Sequence, residues 1–161
     1  MDPIDCHDHP LTAETFLTHA ALLCQQRGAR LTDLRRRVLE IIWSSPTPLG
    51  AYAILQVLRD EGGQGAPPTV YRALDFLLAQ GLIHRMNSRN VFTACRQPDH
   101  HHSGQFLICR DCGQVNELNS PIIETKLRAA AMAWRFEVLA QVVEVLGLCP
   151  NCQQGTSSRV G

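Results

Sequence analysis

At 161 residues the chain has room for one medium domain or two small ones, and its 45% hydrophobic content is ordinary for a protein with a packed core. No apolar run approaches the roughly 20 residues of a membrane helix, and the start, Met1-Asp2-Pro3-Ile4-Asp5, lacks the basic and apolar segments of a secretory signal; no membrane partner and a cytoplasmic location are the expectations. The formal net charge is zero, yet five arginines fall between Arg27 and Arg37 against the single acid Asp33, a cluster that suits either phosphate contact or a solvated helix face.

Residues 1–11, rich in Pro, Asp and His, read as a disordered tail. A helix is expected over 12–27, with Phe16, Leu17, Ala20, Ala21, Leu23 and Cys24 inward and Gly28 as its stop. Thr32 is placed to cap a second helix, in which Leu31, Leu34, Val38, Ile41 and Ile42 recur at helical spacing. A third covers about 50–60, burying Ala51, Ile54, Leu55 and Leu58, and 61–65 is a loop by composition. Pro68 opens a fourth helix and Gly81 closes it. Val70, Ala73, Leu74, Leu77 and Leu78 form its buried stripe, leaving Thr69, Tyr71, Arg72 and Asp75 outside. Two short strands follow, 82–86 and 90–94.

Three helices and a hairpin have the layout of a winged helix, here 12–95 with one extra helix in front. Its recognition helix is then 68–80, with the polar residues of the first turns outermost. Residues 96–104 read as a linker. A second unit, 105–152, is expected to hold strands at 106–108 and 115–118, a helix from Pro121 to about 132 and an apolar strand-like segment at 138–146. Residues 153–161 read as a flexible tail.

Seven cysteines, an odd number in a chain without a secretion signal, argue against a disulfide framework. Four form two Cys-x-x-Cys pairs, Cys109/Cys112 and Cys149/Cys152, a pattern whose turns let thiolates converge at about 2.3 Å from one zinc ion. A redox dithiol or inert buried thiols would be the plainer account. The 36 residues between the pairs mean that such a site ties together two ends of a domain. A second group is more scattered: His84, Cys95, the run His100-His101-His102, and Glu117. Each also has an ordinary reading as a strand, core or loop residue, and Cys6, His7, His9 and Cys24 suggest only a tail and a buried thiol. A zinc hydrolase is disfavoured. The chain has no His-x-Glu and no His-Glu-x-x-His, and its proline falls inside the second pair as Cys149-Pro150-Asn151-Cys152. A zinc module that only docks a protein partner would fit the cysteines but would bind no DNA.

Arg30-Leu31-Thr32-x-x-Arg35, Pro68-Thr69-Val70-Tyr71-Arg72-Ala73-Leu74, Cys109-x-x-Cys112-Gly113 and Cys149-x-x-Cys152 together resemble the ferric uptake regulator family, over about residues 12–152. The resemblance implies an α+β chain with an N-terminal winged helix and a C-terminal α/β dimerisation domain carrying structural zinc. It also implies a homodimeric, metal-dependent repressor acting on double-stranded operator DNA. Within the family, Pro67 to Leu78 is most similar to the zinc uptake regulators, which implies control of zinc-uptake genes. It further implies two zinc ions per chain: a structural one on Cys109, Cys112, Cys149 and Cys152, and a regulatory one at the hinge on His84, Cys95, His102 and Glu117. His102 is preferred in its run because it stands seven residues before Cys109. Protonation of the two histidines is expected to weaken that site as pH falls toward about 6.

Iron-sensing relatives carry a His-His-Asp-His run where this chain reads His102-Ser103-Gly104-Gln105-Phe106, and a histidine where it has Leu148. An iron, manganese or nickel sensor remains the alternative. By the same resemblance Tyr71 and Arg72 are the foremost DNA contacts, joined by Tyr52, Arg30 and Thr69.

Overall fold

A computed structural model describes residues 12–62, 66–99, 104–139 and 141–156. Helix α1 is Ala13–Gln26; the Thr12 hydroxyl accepts the Thr15 N–H at 3.2 Å, and Gly28, at φ +68°, turns the chain out of it. Phe16, Leu17, Ala20, Leu23 and Cys24 are buried, and Phe16 stacks on Trp43 with ring centroids 3.8 Å apart. Helix α2 is Asp33–Ser44. Thr32 takes its N-cap position, but its side chain makes no capping hydrogen bond. Helix α3 is Ala51–Asp60. Helix α4 is Pro67–Ala79, one residue earlier than expected. Two prolines fit there because the first turn of a helix has no internal acceptors for its N–H groups. Gly81, at φ +64°, closes it.

Strands β1, Ile83–Met86, and β2, Val91–Ala94, pair antiparallel with His84 opposite Thr93. Leu49 and Phe92 exchange both backbone hydrogen bonds, at 3.0 and 2.8 Å, and so tie the wing to the start of α3. The four helices and this wing share one apolar core, which includes Val38, Leu39, Ile54, Leu74, Leu77, Ile83 and Phe92.

The second unit holds β3 (Gly104–Cys109), β4 (Val115–Leu118), α5 (Pro121–Ala133), β5 (Val142–Gly147) and α6 (Pro150–Thr156). The sheet order is β4-β3-β5, with β3 antiparallel to β4 and parallel to β5. Three boundaries differ from expectation. Strand β3 starts at Gly104, inside the segment read as linker, because its pairing with β5 extends to Gly104↔Val142. Strand β5 starts at Val142, after a turn in which Arg135 adopts a left-handed φ of 53°. Helix α6 runs to Thr156, past the expected start of the tail.

Met86 of the wing packs with Phe106 and Ile108 of β3 in a small second core that joins the two units. Helix α5 buries no residue, and Met132, Trp134, Phe136 and Leu139 are exposed. Among the described residues β5 is an open sheet edge, with Val142, Val145 and Leu146 exposed. Exposed apolar residues and an open strand edge are both features that a partner surface commonly covers. Among the described residues no helix is long and apolar enough to cross a membrane.

Candidate metal centres and DNA-binding face

The parallel pairing of β3 and β5 ends at Cys109↔Gly147, which sets both Cys-x-x-Cys turns side by side. Gly113, at φ +75°, closes the first turn, and Pro150 starts α6 within the second pair. The four sulfurs of Cys109, Cys112, Cys149 and Cys152 all lie within 4.8 Å of one another. Cys112 Sγ and Cys149 Sγ are 3.7 Å apart, close to the roughly 3.8 Å between two sulfurs on a tetrahedral zinc ion.

The Cys149 N–H donates to Cys109 Sγ at 3.3 Å. Backbone N–H groups of Cys112 and Cys149 pull the Cys109 thiol down to about 6, whereas hydrogen bonds with the Cys149 and Cys112 sulfurs push Cys152 up to about 12. One thiolate forms easily and the last resists, since like charges so close oppose one another. A divalent cation removes that opposition, so the donor set fits zinc held by four thiolates.

The second cluster draws on three elements. His84 lies in β1, Cys95 directly follows β2, and Glu117 lies in β4. Their donor atoms all lie within 4.8 Å of one another. His84 Nε2 is 2.9 Å from Glu117 Oε1, and each side chain is only 15% exposed. Gly104 makes room: a Cβ there would come within 2.8 Å of the Phe106 ring and 3.4 Å of His84 Nδ1. Burial works against a charged imidazole at His84, but hydrogen bonds with Cys95 and Glu117 outweigh it and raise its pKa to about 9. Anionic surroundings that hold a proton on a nitrogen also favour a metal cation there, and the two compete.

Nitrogen, sulfur and carboxylate oxygen form a mixed set suited to zinc. His102, the fourth expected ligand, lies outside the described residues, as do His100, His101, Cys6, His7 and His9. Cys24 is wholly buried in the helical core, away from both clusters, and burial raises its thiol pKa.

A family model described as the ferric uptake regulator family matches residues 26–146. The chain belongs to the ferric uptake regulator family. A zinc uptake regulation protein of Escherichia coli is 36% identical over 92% of this chain and 87% of its own length. A solved structure described as a zinc uptake regulator complexed with zinc and DNA superposes with a TM-score of 0.86 at 36% identity, covering 91% of this chain and 98% of that one. The holo structure of the protein called XcZur gives 0.82 at 41% identity, over 89% of this chain and 99% of that one. Its apo structure gives only 0.50 at 42% identity, over 88% and 97%. Sequence is nearly constant across that pair, so conformation accounts for the drop. This chain superposes far better on the holo structure than on the apo one, and its family is one of regulators, not enzymes.

In this family member α3 and α4 present Tyr52 and Tyr71 along one shallow depression that Pro67 and Val70 also line. Tyr52 is 75% exposed and Tyr71 43%. Thr69 and Arg72 are exposed on the same early turns of α4, and Arg30 is exposed ahead of α2. Three of the five arginines of the cluster brace neighbouring elements at the surface. Arg27 donates to the Gln80 carbonyl and, at 3.0 Å, to that of Pro98. Arg35 donates to the Arg30 carbonyl at 2.7 Å, and its guanidinium lies 3.6 Å from the centroid of the Phe76 ring. Arg37 pairs with Glu40 at 2.7 Å and with Glu61. Three members of the cluster, Arg27, Arg35 and Arg37, thus hold α4 and its neighbours together, a role beside the two that the sequence suggested.

The sequence reading missed Glu144. It is the one charged residue in the apolar run of β5, and its carboxylate accepts the backbone N–H of Asn87 at 2.6 Å across the two units.

Proposed function

We propose that the chain is a zinc-responsive transcriptional repressor that binds palindromic operator DNA as a homodimer in the cytoplasm and controls zinc-uptake genes. The observation that carries this reading is the cluster of His84, Cys95 and Glu117, which draws on both structural units. Held on one ion with His102, these residues cannot separate, and the winged helix keeps a fixed orientation on the second unit. Two such units in a dimer then present their recognition helices at the spacing of an operator. The dimer partner is a second copy seated on the exposed face of α5 and the β5 edge. The Cys109, Cys112, Cys149 and Cys152 set is the permanent zinc site and the hinge set the exchangeable one, giving two zinc ions per chain. The thiolate of Cys95 favours zinc over iron or manganese at the hinge.

Chelation tests the reading directly. Mild chelation should take the purified dimer from two zinc ions per chain to one. It should also abolish binding to the DNA that wild-type protein selects from a random pool, and zinc should restore it. A protein that holds one ion throughout, or that binds the same with and without the second, defeats the proposal. The pH dependence has a definite sign. Below about 9 the metal-free His84 holds a proton that zinc must displace. The apparent affinity of the exchangeable site should therefore rise with pH up to that value, by up to about tenfold per unit for this one proton. The window reaches well above the ordinary histidine range.

At the DNA face, Tyr71 and Arg72 make the principal contacts, with Tyr52, Arg30 and Thr69 beside them. Arg72→Ala should cost about 1–3 kcal/mol of operator binding, with zinc content and dimerisation unchanged. Unaltered affinity at fixed salt would remove Arg72 from the contact set.

A further inference from the structure

Phe106 of β3 lies opposite Glu117 of β4 on one side and Glu144 of β5 on the other. Residues paired across neighbouring strands present their side chains on one face of a sheet. Glu117, Phe106 and Glu144 therefore form a single row, and each member meets the wing. Glu117 pairs with His84 at 2.9 Å. Phe106 packs against Met86 and stands edge-on to the His84 ring, with centroids 5.5 Å apart. Glu144 Oε1 accepts the Asn87 N–H at 2.6 Å, and Oε2 accepts the Ser88 N–H at 3.2 Å. Strand β1 and its turn thus lie across the row, with a carboxylate at each end and an aromatic ring between. One carboxylate belongs to the candidate hinge site; the other does not.

We propose that Glu144 is a metal-independent latch between the two units and sets the zinc concentration at which the repressor closes. The proposal rests on the zinc reading above. Burial opposes ionisation of Glu144, but the Ser88 hydroxyl and the Asn87 and Ser88 amides outweigh it and hold the carboxyl below its usual range. The latch is therefore charged at any working pH, and hydrogen bonds to a charged acceptor are the stronger kind.

Its effect on the metal follows from linkage. The apparent dissociation constant of a ligand is its intrinsic value divided by the fraction of protein in the competent conformation. A contact made only in the closed arrangement raises that fraction before any ion binds at the hinge. Glu144 is thus a positioning residue: it tightens the exchangeable site without being one of its ligands. Arg89 adds a weaker contact at the same seam, donating to the Cys109 carbonyl at 3.4 Å.

The experiment is a zinc titration of the full-length dimer against a chromogenic chelator, with no DNA present. Glu144→Ala should keep its dimer and its tightly held zinc while the exchangeable ion binds about tenfold more weakly, within the usual range for coupling between sites. Ser88→Ala, on an exposed turn, should show a smaller loss, and the double variant should be no worse than Glu144→Ala alone. Should Glu144→Ala fail to assemble, Glu144→Gln keeps the shape and loses the charge, and should fall between wild type and the alanine effect. Wild-type affinity in the Glu144 variants overturns the latch, as does a double variant whose losses multiply. A wild-type protein with no exchangeable second zinc overturns the zinc reading first and the latch with it, so the two failures are distinct.

Discussion

Cys95→Ser should give a folded dimer that keeps its four-cysteine zinc and no longer gains operator affinity as zinc is added. Cys95 is fully buried at the exit of β2, and its N–H donates to the Leu82 carbonyl at 2.9 Å, so the backbone there is fixed by the wing itself. Serine is close to cysteine in size, and the fold loses little. The hinge site loses its only thiolate. Even changes outside the ligand shell commonly cost about 10–100-fold in metal affinity, so removal of a ligand should cost at least that.

The operator response should fall further than the metal affinity alone. A two-state hinge moves from mostly open to mostly closed only if the ligand prefers the closed state by about 10,000-fold. What should remain is weak, salt-sensitive, nonspecific DNA binding through the basic and tyrosine-bearing face. His84→Ala should behave alike, since His84 Nε2 meets Glu117 Oε1 across the units at the candidate hinge site. The check is a zinc titration of operator binding with wild type and both variants side by side. A Cys95→Ser protein that gains full affinity over the same zinc range would place the switch elsewhere, with the histidines of the linker the next residues to test.

The two metal clusters were not equally legible in the sequence. The paired Cys-x-x-Cys turns announce themselves because each pair is local, and only one long-range fact, the adjacency of β3 and β5, was needed to join them. His84, Cys95 and Glu117 come from three elements with no shared spacing, so only the family resemblance grouped them. The helices from 13 to 79 were readable because their stripes repeat at helical period and Pro and Gly mark their ends. Helix α6 was not: Pro-Asn-Cys-Gln-Gln-Gly-Thr has no apolar stripe. The arginines between 27 and 37 show a different limit. Their count was plain, but whether a guanidinium reaches a phosphate or the carbonyl of Gln80 depends on a partner 53 residues away. Glu144 fell to the same limit, since a lone acid in an apolar strand signals a special role without naming what it grips.

Cys109→Ser should act on a different property of the molecule. Cys109 ends β3, the middle strand of the sheet, and its sulfur accepts the N–H of Cys149 at 3.3 Å. The residues it gathers fix the end of β5 and the start of α6, and β5 carries part of the exposed apolar edge proposed above as the seat of the second copy. Metal binding energy at such a site is folding energy. Replacing one thiolate leaves three ligands and a neutral hydroxyl, and several kcal/mol of apparent stability should go with it. The tightly held zinc should be lost or become exchangeable, the melting temperature should drop, and the dimer should dissociate in sizing experiments. The contrast with Cys95→Ser is the informative part. One cysteine substitution should remove the zinc response from an intact dimer, and the other should remove the dimer itself. A Cys109→Ser protein that keeps its zinc count, its melting temperature and its dimer would mean that the four thiols hold no structural ion, and the division between a permanent and an exchangeable site would fall.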